Sequence, residues 1–271
     1  MLDDEHVLHV FDVADATSAL WEWSTHSPLD PLTGQTTDLI VLDSQLWLLG
    51  DARDNASAVQ QLWVHRFDIG SPGQVTHDLD EWMGGTNALV PRGVFDPTSG
   101  YVALFAAHAG ASASHMRIFI RDPQTGEEIL STFDYAYDRP LDVCTRPDGG
   151  LLVLASEAGA PSSRLALGYR IGQDGALEQD GELALDFAWG VDFIGCVTGG
   201  DAMLLIGTGG TSAAVVAVAD LFGSRQQITW QHYPVQLGFV SPDAAVDGVY
   251  HDGRFFVTVG YDPAGVIAFA E

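Results

Sequence analysis

Five positions carry residue types suited to chemistry at a near-constant interval: Asp38, Arg92, Asp142, Asp192 and Asp247, spaced 54, 50, 50 and 55 residues apart. Four carboxylates brought close together repel one another and demand compensation. It can come from backbone N–H groups, from an arginine, from raised pKa values, or from a hard cation such as Ca²⁺ that takes oxygen ligands. The same carboxylates accept hydrogen bonds from sugar or polyol hydroxyls, and a pair of them can act as acid and base. Asp38, Asp142, Asp192 and Asp247 are therefore candidate catalytic groups. Asp142, Asp192 and Asp247 are candidate ligands of a divalent cation. A structural reading stands beside these. A residue that recurs once per repeat can cap its own strand or bind the backbone of the neighbouring unit.

The elements that must position these residues are strands. Short runs of Val, Ile, Leu, Phe and Tyr alternate with Gly, Asp, Pro and Ser turns, and amphipathic helical periodicity is hard to find. One pattern of strand, polar turn, strand returns along the chain. It reads "TTDLIVLDSQLWLLGDA", "VPRGVFDPTSGYVALFAAH", "RPLDVCTRPDGGLLVLASE", "WGVDFIGCVTGGDAMLLIGTG" and "AAVDGVYHDGRFFVTVGYD". A second hairpin follows each of the first four. Four strands per unit, at a period of roughly 50 residues, is a repeat architecture.

Over nearly the whole chain this pattern resembles the β-propeller superfamily, on the repeat alone. The Gly-His…Trp-Asp signature of WD40 blades is absent, and so are the kelch double glycine and the Asp-box. Trp21 and Trp23 form a pair too short to identify a family. The resemblance implies an all-β fold of one domain, residues 1–271, with about five four-stranded antiparallel blades. The blades run roughly over 36–82, 90–136, 139–187 and 189–237, with 244–271 completed by 5–25. Pairing the N-terminal strands with the C-terminal blade would close the ring and remove exposed sheet edges. "AGVIAFAE" also reads as a third strand of that last blade, which leaves six blades as the alternative.

In a propeller the first strand of each blade lines a central channel, so the five recurring residues would form a ring at its mouth. The loops on the same face hold further candidates. His108 and Glu157 are candidate acids or bases, with His115 close by in "HAGASASH". Arg92, Trp82, Tyr137, Arg139, Trp189 and Tyr261 are candidate ligand contacts, because aromatic faces stack on sugar rings while charged groups bind hydroxyls. The opposite face carries short turns such as "RPDGG" that read as structural.

Composition narrows the function classes. The formal net charge is −26, and every one of the 11 basic residues is an arginine. Without lysine there is no Schiff base, no P-loop lysine and no lysine general base. The acidic field repels nucleic acid and anionic membranes and suits cations, polyols or a basic partner. No run approaches the roughly 20 apolar residues of a membrane span. The acidic opening "MLDDEHVLHV" is unlike a secretory signal. A soluble protein is expected, either cytoplasmic or secreted after removal of a signal. Cys144 and Cys196 read as small buried hydrophobes rather than a disulfide framework.

The sequence thus points to a monomeric, ligand-binding propeller. It would hold one asymmetric, carboxylate-lined site for a small polar molecule or carbohydrate, with or without a divalent cation. Two alternatives stay open. One is a glycoside hydrolase or metal-dependent hydrolase or lyase using paired aspartates and His108. The other is a non-catalytic docking scaffold. Loops that differ from blade to blade argue against a multivalent lectin.

Overall fold

A computed structural model describes residues 6–12, 15–25, 35–42, 44–53, 60–71, 74–83, 88–109, 114–185, 192–209, 212–218, 221–222, 228–229, 235–236, 246–259 and 265–270. Their regular structure is all β. A two-stranded sheet comprises β1 (His6–Asp12) and β2 (Asp15–Thr25). The next sheet holds β3 (Gln35–Val41), β4 (Gln45–Arg53), β5 (Gln60–Ser71) and β6 (Gln74–Met83). Then come β7 (Ala88–Asp96), β8 (Tyr101–Ala109), β9 (Ser114–Arg121) and β10 (Glu128–Asp134). The following sheet is β11 (Tyr137–Thr145), β12 (Leu151–Glu157), β13 (Ala160–Ile171) and β14 (Leu177–Ala184). The next comprises β15 (Asp192–Gly199), β16 (Ala202–Gly209) and β17 (Ser212–Val218), whose outer edge pairs with two short strands, β18 (Ile228–Thr229) and β19 (Val235–Gln236). The last sheet is β20 (Val246–His251), β21 (Arg254–Val259) and β22 (Gly265–Ala270).

Every pairing between neighbours is antiparallel, as short hairpin connections require. The innermost strands β3, β7, β11, β15 and β20 lie side by side in that order. This is the β-propeller fold. The closing pairing is not found among the described residues: β1 and β2 pair with each other, and β22 takes the third place in the last sheet.

Burial follows strand order. Second strands are apolar on both faces because a sheet packs on each side of them. Val102–Ala106 and Leu151–Ala155 are all inaccessible to solvent. The outer strand β14 has only exposed and half-buried positions. Three apolar layers fill the gaps between consecutive sheets. Ile40, Trp47 and Leu49 meet Leu104 and Phe119. Phe105 and Ile118 meet Val153 and Leu167. Cys144 and Leu154 meet Cys196 and Leu205. No helix among the described residues is long and apolar enough to cross a membrane.

Candidate functional site

The inner strands share a device that places their polar residues. In each of the first four, the register with the second strand shifts by one residue. The shifts fall between Thr36 and Asp38, Leu89 and Arg92, Pro140 and Asp142, and Phe193 and Gly195. A bulge of this kind leaves a residue out of the ladder and re-aims the side chain beside it. The residue after the shift is Asp38, Arg92, Asp142 and Gly195 in turn.

Packing gives the same correspondence. A Cβ on Gly93 would strike Ile40 and Leu49, and Leu49 is the ladder partner of Asp38. A Cβ on Gly248 would lie 2.9 Å from Val197 and 3.3 Å from Ile206, and Ile206 is the partner of Gly195. The level of Asp38 is therefore continued by Arg92, Asp142, Gly195 and Asp247. Asp192 falls three residues before Gly195, on the other side of the bulge. The ring expected at one height is corrected here: its fourth position carries no side chain. The side chains of Asp192 and Asp247 lie outside the described residues.

Each of the three described ring side chains, Asp38, Arg92 and Asp142, reaches forward to the next inner strand. Asp38 Oδ1 accepts the N–H of Leu39 at 2.8 Å, and Oδ2 accepts that of Gly93 at 2.7 Å. Arg92 Nε donates to the carbonyl of Leu141 at 2.8 Å. Leu141 is the residue left out of the ladder by the bulge in β11, so its carbonyl is available. Asp142 Oδ1 accepts the N–H of Val143 at 2.9 Å, and Oδ2 accepts that of Cys196 at 2.7 Å.

The Asp142 carboxyl is pushed up to about 8. Loss of solvation is the largest cause, and the Asp38 carboxylate adds to it. The Cys196 and Val143 N–H groups and the Arg92 guanidinium act in the opposite direction without cancelling it.

The remaining candidates are spread over other strands. His108 is the penultimate residue of β8, opposite His115 of β9. Its ring stands edge-on to Phe133, 5.0 Å between centroids, while His115 stands edge-on to Tyr135 at 4.7 Å. These two histidines form an aromatic cluster with the outer strand of their own sheet. Glu157 is exposed at the end of β12, where its N–H donates to Ser163 Oγ at 2.9 Å. Arg139 is exposed in β11.

Tyr137 does not offer the stacking face expected of it. It is buried in the layer between the second and third four-stranded sheets. Its O–H donates to Glu182 Oε2 and accepts from Gln179 Nε2, both at 2.8 Å. Burial foremost pushes this phenol up to about 12. Trp82 lies in β6 opposite Trp63, with its side chain outside the described residues. Trp189 and Tyr261 lie outside them altogether. Among the described residues no three His, Cys, Asp or Glu side chains gather to hold a metal ion.

One participant is absent from the sequence-based candidates. Asp51, only 3% exposed, accepts the N–H of Val90 through Oδ2 at 2.7 Å. Val90 has φ of 47°, in the left-handed region that branched side chains avoid.

No protein-family model and no curated protein matches the chain. Solved structures match it as a fold. A GH43_1 enzyme from Xanthomonas citri superposes with a TM-score of 0.51 at 11% identity, over 84% of this chain and 82% of its own. The β-propeller domain of the Trilobed protease from Pyrococcus furiosus gives a TM-score of 0.44 at 10% identity, over 87% and 81%. A xylan β-1,4-xylosidase from Bacillus halodurans C-125 gives 0.44 at 11% identity, over 86% of this chain and 50% of that one.

Proposed function

We propose that this chain is a monomeric, ligand-binding β-propeller with one asymmetric polar site at the channel mouth, for a small polar organic molecule or a carbohydrate. The observation that carries this reading is the charged centre formed by Asp38, Arg92 and Asp142. Holding adjacent strands together needs only an acceptor or a donor, and Asn or Ser would supply one without charge. Here two carboxyls and a guanidinium act on one another, and one carboxyl is strongly perturbed. Perturbed titratable groups beside specific charged partners concentrate at functional sites. Gly195 leaves the level open between Asp142 and Asp247, which favours one eccentric ligand over a symmetric ring.

At the ring level, backbone N–H groups hold the Asp38 and Asp142 carboxyls. A Ca²⁺ ion at the mouth would draw on Asp192 and Asp247, and elemental analysis of the purified protein tests for it. The deciding experiment is a thermal-shift and calorimetry panel of neutral sugars and their oligomers, uronic acids and polyols. A binder is expected, with affinity lost in Arg92→Gln. A panel without any binder, or an Arg92→Gln variant that binds as well as the parent, sinks the reading.

Asp142 also favours a second reading, glycoside hydrolysis. A carboxyl that keeps its proton at neutral pH is suited to the general-acid role. Release of nitrophenol from aryl glycosides, abolished in Asp142→Asn, would support it.

A further inference from the structure

Arg92 is held in place from two sides, and the less obvious side begins in the preceding sheet. Between Leu89, paired with Ala107, and Arg92, paired with Phe105, the strand β7 carries one residue more than its partner. Val90 and Pro91 make up this bulge. Two features make its conformation improbable in isolation. A β-branched residue is rarely left-handed, and a residue that precedes proline is pushed towards extended backbone. Yet Val90 has φ of 47°. A bend of this type persists only where its surroundings over-determine it.

Asp51 supplies that constraint. It is the seventh residue of β4, its carboxylate is enclosed, and Oδ2 takes the Val90 N–H at 2.7 Å. That N–H is the group the bulge removes from the ladder. A buried carboxylate bonded to a backbone N–H is among the stronger hydrogen bonds a protein makes. Arg92 follows the bend by two residues and spans to the Leu141 carbonyl, itself exposed by the bulge in β11. The chain of contacts thus runs Asp51, Val90, Arg92, Leu141 across three consecutive sheets.

From this geometry we infer that Asp51 is a positioning residue: it fixes the left-handed bend at Val90 and thereby aims the Arg92 guanidinium into the centre it shares with Asp38 and Asp142. The inference rests on the reading of that centre as the ligand site only for its functional consequence. The positioning itself is separable and has its own readout.

The experiment follows the Arg92 Nε–H signal in ¹⁵N-labelled protein, identified by its loss in Arg92→Leu. With 11 arginines and no lysine, the side-chain region is sparse. In Asp51→Ala the Arg92 signal should move to the position of exposed arginines. Its hydrogen exchange should accelerate at least about tenfold, as for any bond released from a closed structure. The signals of Arg121, buried on β9 of the same sheet, and of Arg146, buried beside the next sheet, should stay in place.

Adding Val90→Gly to Asp51→Ala should restore the signal, because glycine adopts the bend unaided. If Asp51→Ala alone does not fold, the double variant must fold and show the parental Arg92 signal. An unmoved Arg92 signal in folded Asp51→Ala overturns the inference. So does a general shift of all arginine signals, or a double variant that restores nothing. In the binding arm, Asp51→Ala should weaken the tightest sugar or polyol of the panel and Val90→Gly should recover it. If the parent binds no member while the Arg92 signal responds as expected, the ligand reading fails and the positioning role stands.

Discussion

In β11, Asp142 gives both carboxylate oxygens to backbone N–H groups, of Val143 and Cys196. At the other end of the same sheet, Asp180 gives both of its oxygens to guanidinium groups. Arg146 binds it in two-pronged fashion at 2.8 and 2.7 Å, and Arg170 Nε binds at 2.6 Å. Asp148 joins them by accepting from Arg170 Nη2 at 2.6 Å. Both centres tie the sheet to the next one. Arg146 does so by lying over the ring of Phe222, 5.2 Å away, which rests against Gly168 and Gly181.

The same residue type therefore titrates in opposite directions. Loss of solvation pushes Asp142 up to about 8, and dipoles alone do not offset it. Burial also pushes Asp180 up, but the hydrogen bonds and charge of Arg146, and then of Arg170, outweigh it and hold the carboxyl below its ordinary range. Fixed positive charge stabilises a carboxylate even where part of its solvation is lost. Backbone dipoles without enough charge leave it poised to keep its proton. The first arrangement suits a fastener and the second suits a site.

The largest expected effect lies at the fastener. Arg146, 6% exposed, is enclosed, and Arg146→Leu leaves Asp180 without its two-pronged partner. The loss of these two charge-assisted hydrogen bonds should be on the order of 3 kcal/mol in urea denaturation. A loss below about 1 kcal/mol would erase the contrast with surface ion pairs. Next comes the packing beneath the ring. Gly93→Val drives a side chain into Ile40, Leu49 and Leu104, for a loss of about 1–3 kcal/mol by the same measurement.

The comparison is sharpened most directly by pH. Because the folded pKa of Asp142 lies above its unfolded value, the native state keeps a proton that the unfolded chain releases. Its contribution is present below about pH 4 and is lost as pH rises towards about 8. Asp142→Asn removes that dependence. The variant should gain on the parent across this window, at no more than about 1.4 kcal/mol per pH unit. A gap that stays flat between pH 4 and 8 would place Asp142 with the fasteners. Asp180 has the opposite sign, its contribution being present above the unfolded carboxylate pKa and lost as pH falls below it. The smallest effect belongs to Asp148, whose side chain is 59% exposed. Asp148→Ala should lose at most about 1 kcal/mol, and less in high salt.

Much of the fold was legible in the sequence. Strand, turn and period are local properties: apolar runs of strand length, polar turns and a recurrence near 50 residues follow directly from residue order. The second hairpin of the fourth unit reads as two full strands, and among the described residues its outer edge comprises Ile228–Thr229 and Val235–Gln236. The candidate site was legible as a set of residue types but not as a geometry. Tyr137 reads like a platform at a loop, and only the outer strand of its own sheet shows that its hydroxyl is spoken for by Glu182 and Gln179. Arg146 and Asp180 are 34 residues apart and carry no mutual signal.

The amino-acid sequence by itself determined the all-β propeller class, the recurrence of the inner hairpins and the presence of charged residues near the head of each inner strand. The tertiary structure alone decided which of them share a height. In "VDFIGC", spacing from neighbouring repeats selects Asp192, whereas the bulge selects Gly195. A side-chain period of two survives in composition, so strands can be read. A one-residue bulge alters no composition, yet it reverses which residues face the axis. The hydrogen bonds of Asp38, Arg92 and Asp142 to the following sheet fix that choice.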